Sequence, residues 1–320
     1  MHPSAEDPWL GNLLWDVVSD RDGRFAPSPT GVLHVGNLRT ALLAWLFARS
    51  AGARFLMRVE DLDRQRVKPG FEEQQLADLR AIGIDWDGDV VRQSERLDRY
   101  ADALARLERD GLTYPCFCTR AEIREAASAA HGRLPEGAYP GTCRELTRRE
   151  RVKREAGGRP PALRLRAGGE RVAFRDALLG ERAGVVDDFV LRRGDGTPAY
   201  NLAVVVDDAE QRVGEVVRGA DLVDSTPRQL LLARLLGLPE PGHAHVPLVL
   251  GPDGARLAKR HGAVTLADRA ARGETPAQVV GWMAASVGLA ESGETVKAAE
   301  LIDRFDPARL PREPTFVTYS

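Results

Sequence analysis

Lysine is nearly missing from this chain: of 45 basic residues only Lys68, Lys153, Lys259 and Lys297 are lysine, so a lysine inside a motif carries weight. Cysteine is as sparse, with three residues confined to positions 116–143. An odd, clustered set is not the even framework of a disulfide-stapled secreted domain. No apolar run approaches the ~20 residues of a membrane-spanning helix, and no membrane partner is expected. The first twenty residues carry Glu6, Asp7, Asp16 and Asp20, where a secretory signal would be basic and then apolar. A cytoplasmic location is therefore expected. An excess of one charge sign is also lacking. The 45 Lys+Arg face 47 Asp+Glu, which excludes the strongly basic surface of a sequence-blind nucleic-acid binder but not a local patch.

What is present is the composition of a globular protein, with 43% hydrophobic and 29% charged residues. At ~150 residues per domain the 320 residues predict about two domains. Residues 1–22 read as an acidic leader without an assigned role. Strands at 24–26 and 55–59 alternate with helices at 36–50, 70–82 and 94–110, the pattern of parallel βαβ units. Between about 115 and 190 the regularity breaks, and the stretch reads as a domain inserted into the first. Beyond it, the apolar run Leu202–Val206 predicts a strand buried on both faces. Further strands are expected at 213–217 and 245–250, a helix at 226–236, and helical segments with a Pro-rich tail over 263–320.

Four features carry chemistry. The first is the strand–loop–helix passage from Arg24 to Asn37, which offers backbone N–H groups and a positive dipole end to phosphate. His34 and Asn37, three apart on the first helical turn, supply two donors for a phosphorus centre gathering negative charge. The second is the glycine-bearing loop Gly251–Arg260, whose Lys259 and Arg260 suit a triphosphate. The third is Cys116, Cys118 and Cys143. Three thiolates fit a soft tetrahedral site such as zinc, with His131 or Tyr139 as fourth ligand. The fourth is the stretch 144–166, with nine Lys/Arg against three Glu, an excess of six. Such a run is either a solvated helix face or a contact for RNA phosphates.

The segment Arg24-Phe25-Ala26-Pro27-Ser28-Pro29-Thr30-Gly31-Val32-Leu33-His34-Val35-Gly36-Asn37 resembles the HIGH-type signature of class I glutamyl-tRNA synthetases. Phe55 to Arg64, Gln93 to Arg96, Tyr200 to Asp208, Val217 to Gly219 and Leu257 to Arg260 follow in the family's order, so the resemblance spans roughly 24–262. Asn37 stands where the signature has its second histidine. In the lysine loop Ala258 and Arg256 stand for the usual serine and first lysine. The resemblance implies an α/β fold: a Rossmann-like class I aminoacyl-tRNA synthetase catalytic domain with an inserted zinc-containing subdomain and a short helical C-terminal stem. It implies catalytic and ATP-binding roles for His34, Asn37 and Lys259, with Arg260 also at ATP. It places Arg24, Phe25, Ala26, Pro27, Ser28, Glu60, Tyr200 and Arg218 at the glutamate. That set has the right polarity, with cations for two carboxylates and an anion for one ammonium.

The C-x-C…Y-x-x-x-C pattern is similar to the zinc site of one subgroup, the short-form glutamyl-queuosine tRNA(Asp) synthetases, which implies one structural Zn²⁺ on Cys116, Cys118, Tyr139 and Cys143. Only sixty residues follow Arg260, too few for the anticodon-binding region of a full-length glutamyl enzyme. The expected layout is a catalytic domain in two halves, 23–115 and 191–262, an inserted zinc- and RNA-facing subdomain at 116–190, and a stem and tail at 263–320. The expected activity is ATP- and Mg²⁺-dependent activation of L-glutamate. The expected transfer is to queuosine in the anticodon stem-loop of tRNA(Asp), by a monomer. Two alternatives stay open: a truncated synthetase charging a tRNA 3′ end, and a silent paralogue that binds glutamate or tRNA.

Overall fold

The computed structural model describes residues 21–129, 138–257, 261–262 and 264–317. The leader expected over 1–22 lies outside these residues except for Arg21 and Asp22, as do His131, Lys259 and Arg260. In chain order the elements are β1 (Gly23–Phe25), α1 (Val35–Ser50), β2 (Phe55–Val59), α2 (Phe71–Ala81), β3 (Val91–Arg92) and α3 (Leu97–Arg109). Then come β4 (Thr113–Cys116), α4 (Arg120–Ala129), α5 (Arg148–Glu155), β5 (Ala162–Leu165), β6 (Arg171–Asp176), β7 (Gly180–Val185) and β8 (Val190–Arg192). The chain continues through α6 (Tyr200–Glu210), β9 (Glu215–Gly219), α7 (Thr226–Leu236), β10 (Gly242–Val246) and β11 (Val249–Leu250). It closes with α8 (Leu266–Ala271), α9 (Pro276–Ala285) and β12 (Thr315–Phe316).

Strands β1, β2 and β3 pair in parallel, as the βαβ pattern predicts, with Arg24 opposite Leu56 and Val59 opposite Arg92. A second sheet runs β7-β6-β10-β9, with β9 and β10 parallel over five residues. The two sheets meet at Asp22, whose carbonyl accepts the N–H groups of Gly214 and Glu215 at 2.9 and 3.1 Å at the start of β9. Helix α1 fills the space they enclose. Twelve of its sixteen residues are buried, so its apolar residues wrap the whole circumference rather than one stripe. Helix α3 shows the opposite design, burying Tyr100, Ala103, Leu104 and Leu107 along one face.

The run Leu202–Val206 is not a strand. It lies in α6, where every residue from Leu202 to Asp208 is buried. A short apolar run buried on all sides looks the same in either conformation, and here the eleven-residue length of the element favours helix.

The stretch 116–190 is bound into the body at two levels. Its hairpin β6–β7 joins the second sheet through the parallel contact of Asp176 with His243 on β10. Leu163, Leu165, Val172 and Phe189 share one core with α3, α6 and α7. Among the described residues its separate apolar cluster is the small group around Tyr114, Phe117, Tyr139 and the cysteines. The C-terminal part is helical at α8 and α9, and α9 packs Val279, Val280, Met283 and Ala284 into the main core. A Cβ at Gly281 would lie 1.7 Å from the Glu294 carbonyl oxygen, so this close return of the chain requires glycine. The end of the chain then pairs β12 with β11. Among the described residues, no helix is long and apolar enough to cross a membrane.

Candidate active site

A cleft of about 600 Å³ opens where the C-terminal ends of the parallel strands β1, β2 and β9 meet the N-terminus of α1. In open α/β sheets, ligands bind at such strand ends. Arg24, Phe25, Ala26, Pro27, Ser28, Glu60, Tyr200 and Arg218 all line it, and so do His34 and Asn37. The eight side chains expected at the amino acid and two of the four expected at the nucleotide therefore share one cavity. Lys259 and Arg260 lie outside the described residues. Arg256, earlier on the same loop, reaches the cleft and pairs with Asp221 at 2.5 Å.

Behind Arg24 and Glu60 lies a buried charge network to whose other members the sequence alone gives no role. Arg58, fully buried, donates to Asp208 Oδ1 at 2.7 Å and to Gln211 Oε1 at 2.8 Å. Arg24 donates its Nε to Asp208 Oδ1 at 3.2 Å and one Nη1 hydrogen to the Val217 carbonyl at 3.4 Å. Asp207 accepts from Gln93, Arg96 and Tyr100 at 2.7–2.9 Å. Burial alone would raise the Asp208 carboxyl, but Arg24 and Arg58 hold it below the ordinary carboxylate range. Glu60 sits 3.6 Å from Arg58 Nη2, and its burial outweighs the pull of Arg58 and Arg24, pushing it up to about 7. The available signal was the Asp207-Asp208 pair after a run of five apolar residues, since adjacent carboxylates there must be buried and paired.

Arg218 is held differently. Its Nε donates to His245 Nε2 at 3.0 Å and its Nη1 to Gln229 Oε1 at 2.7 Å. Its Nη2 donates to Thr226 Oγ1 at 2.8 Å and the Leu222 carbonyl at 3.3 Å. Among the described residues no carboxylate reaches ion-pairing distance of this guanidinium, which is only 5% exposed. A buried cation cradled by neutral acceptors lacks a counter-charge, and an anionic ligand supplies one.

At the other end of the cleft, His34 is the N-cap of α1. The Asn37 backbone N–H donates to His34 Nδ1, and the His34 backbone N–H donates to Asn37 Oδ1, each at 3.2 Å. This reciprocal cap consumes one atom of each side chain. The neutral imidazole keeps its proton on Nε2, and the Asn37 amide keeps its NH₂, so both remain donors. Burial and the nearby Arg256 hold the His34 pKa below its ordinary value. A Cβ at Gly36 would meet His34 Nδ1 at 3.0 Å and Val249 Cβ at 3.2 Å, so glycine lets the ring fold over the helix start.

Away from the cleft, the sulfurs of Cys116, Cys118 and Cys143 lie within 4.8 Å of one another. The Tyr139 hydroxyl stands 3.4 Å from Cys116 Sγ and 3.8 Å from Cys118 Sγ, and accepts the Cys143 N–H at 2.7 Å. Four donors about 2.3 Å from a tetrahedral ion are about 3.8 Å apart, so three thiols and this phenol fit a zinc site. The structure brings Tyr139 to the cluster.

The basic stretch divides. Arg144 donates to both Asp188 oxygens at 2.9 Å, and the Arg164 guanidinium lies 3.7 Å over the Tyr139 ring. Arg148, Arg149 and Lys153 stand exposed on α5, which buries none of its residues.

A family model described as "tRNA synthetases class I (E and Q), catalytic domain" matches residues 22–318. A glutamyl-Q tRNA(Asp) synthetase of Nocardia farcinica is 63% identical over 298 residues, covering 92% of this chain and 93% of that protein. Its namesake in Symbiobacterium thermophilum is 56% identical over 304 residues, covering 91% of this chain and 94% of that protein. Among solved structures, a glutamate tRNA ligase from Elizabethkingia meningosepticum in complex with its amino acid aligns with a TM-score of 0.80 at 29% identity. That alignment covers 94% of this chain and 67% of the other.

Proposed function

The chain belongs to the family of class I glutamyl- and glutaminyl-tRNA synthetases, and on that premise we propose that it activates L-glutamate with ATP and passes the glutamyl group to queuosine in the anticodon loop of tRNA(Asp). The observation that carries this reading is Arg218, buried among neutral acceptors and facing the same cleft as Glu60 and Arg24. A ligand with two carboxylates and one ammonium completes that set of charges. Arg24 and Arg218 each take one carboxylate, Glu60 accepts from the ammonium, and Tyr200, 39% exposed, flanks the mouth.

An oxygen of the substrate α-carboxylate attacks the α-phosphorus of ATP. The bond from that phosphorus to the pyrophosphate oxygen breaks, leaving the glutamyl-adenylate anhydride. Charge builds on the phosphate oxygens as this happens. His34 Nε2–H, the Asn37 amide and the α1 N-terminus are the donors positioned to meet it. Lys259 and Arg260 add cationic charge, and Mg²⁺ accompanies ATP. Residues 116–190 act as the inserted subdomain, with Cys116, Cys118, Tyr139 and Cys143 holding one zinc. When bound, that ion supplies a structural cross-link between β4 and the segment after α4. The exposed cations of α5 suit the phosphates of the tRNA, which a monomer would hold directly.

Glutamate-dependent ATP–pyrophosphate exchange, followed by nuclease mapping of labelled glutamate on tRNA, tests the proposal. Exchange with the label in the anticodon loop is the expected result. Label on the 3′-terminal adenosine would overturn the assignment of the acceptor, and absence of exchange would overturn the activity.

A further inference from the structure

We infer that His245, anchored by Asp176, is a positioning residue for glutamate: it fixes the plane of Arg218 while leaving the guanidinium charge for the substrate. The inference rests on the glutamate-activating reading above. Neither His245 nor Asp176 lines the cleft, and both are buried.

Hydrogen-bond polarity fixes the tautomer of His245. A guanidinium Nε–H can only donate, so His245 Nε2, 3.0 Å away, must be the acceptor. The imidazole therefore carries its proton on Nδ1, which donates to Asp176 Oδ2 at 2.6 Å. Asp176 is itself immobilised. Its Oδ1 accepts the N–H groups of Leu178 and Leu179 at 3.0 and 2.9 Å, and its Oδ2 also accepts the His245 N–H at 3.2 Å. With the carboxylate fixed, the other tautomer and the imidazolium would each set an Nε2–H against the Arg218 Nε–H. The parallel stack of the His243 and His245 rings, 7° apart in plane and 6.0 Å between centroids, supports the orientation of His245.

The placement of charge matters as much as the geometry. A carboxylate at the His245 position would hold Arg218 equally well and would neutralise it. The imidazole instead keeps the anion one residue back, so Arg218 is both oriented and uncompensated. Asp176 lies on β6 and His245 on β10, so this pair links the hairpin β6–β7 to the amino-acid pocket.

His245→Asn and His245→Gln separate the two contacts. The asparagine amide occupies the Nδ1 position and loses the acceptor for Arg218; the glutamine oxygen restores an acceptor near the Nε2 position. In the exchange assay, His245→Asn is expected to raise the glutamate KM about tenfold while the ATP KM stays within about twofold. His245→Gln is expected to recover most of that loss. A second variant, Gln229→Glu, keeps an acceptor on Arg218 but adds the counter-charge, and is expected to raise the glutamate KM with a Tm no lower than wild type. If active wild type and folded His245→Asn share one glutamate KM, or if glutamate and ATP KM rise together, the inference is wrong. If His245→Asn fails to fold, an unchanged glutamate KM in Gln229→Glu overturns it. Wild-type protein without exchange instead overturns the functional reading, and this inference with it.

Discussion

Arg58 and Arg24 share a single carboxylate oxygen: Asp208 Oδ1 lies 2.7 Å from Arg58 Nη1 and 3.2 Å from Arg24 Nε. Arg58 does not reach the cleft, yet by holding Asp208 it sets the side chain that orients Arg24. Asp208→Asn would leave two buried guanidiniums with a neutral partner. Removing one member of a buried ion pair costs about 3–5 kcal/mol, and urea unfolding should show a loss of that size. The Asp208 pKa is depressed in the fold, so its contribution to stability is complete above the unfolded value of about 3.9. It disappears as pH falls through the lower native value.

In the proposed pocket, Glu60 should give the glutamate affinity a pH dependence. Burial raises its pKa to about 7, and only the ionised carboxylate offers a substrate ammonium a counter-charge. The glutamate KM should therefore fall as pH rises from about 6 to 8, with a release of protons on binding. Stability of the free protein runs the other way. Between the unfolded pKa and about 7 the fold holds the extra proton, so stability declines with rising pH across that window. Glu60→Gln should abolish the pH dependence of the glutamate KM and raise KM throughout. A slope that persists in the variant would assign the titration to another group.

His34→Ala removes a donor and a helix cap together, and the two losses differ in size. A phosphate-facing donor is worth about 10²–10³ in rate, whereas a lost N-cap costs about 1 kcal/mol of stability. Exchange should collapse while Tm moves by only a few degrees. Asn37→Ala is expected to fall between this variant and wild type, because the His34 Nδ1 contact comes from the backbone at residue 37 and survives.

Elemental analysis should find one zinc per chain. Cys143→Ser should lose it and lower the thermal stability of the 116–190 stretch. Tyr139→Phe removes a hydroxyl lying 3.4 Å from one sulfur and 3.8 Å from another, and should weaken retention against a chelator. Unchanged retention in Tyr139→Phe would remove the phenol from the ligand set.

Much of this was legible in the residues themselves. The alternation of short strands with longer helices made β1, α1, β2 and α2 readable to within a residue or two, because turn residues and segment length suffice there. The family resemblance is what singles out Arg24, Glu60 and Arg218, and their polarity agrees with a ligand of two negative charges and one positive. Helix α6 was misread because an apolar run buried on every side has no period to betray its conformation. Likewise, nothing local marks Arg144 and Arg164 as internal, though both spend their charge or their planar face within the fold.

The sequence by itself determined which chemical groups this protein has and which strand ends and helix starts carry them, because those choices rest on propensities acting over a few residues. Only the tertiary structure decided what each group is free to do. Arg24 and Arg218 are the same residue type, yet Asp208, from 184 positions away, partly neutralises one. The neutral His245, 27 positions away, leaves the other uncompensated. Charge compensation in a buried site depends on which side chains come within hydrogen-bonding reach, and long-range packing alone brings them there.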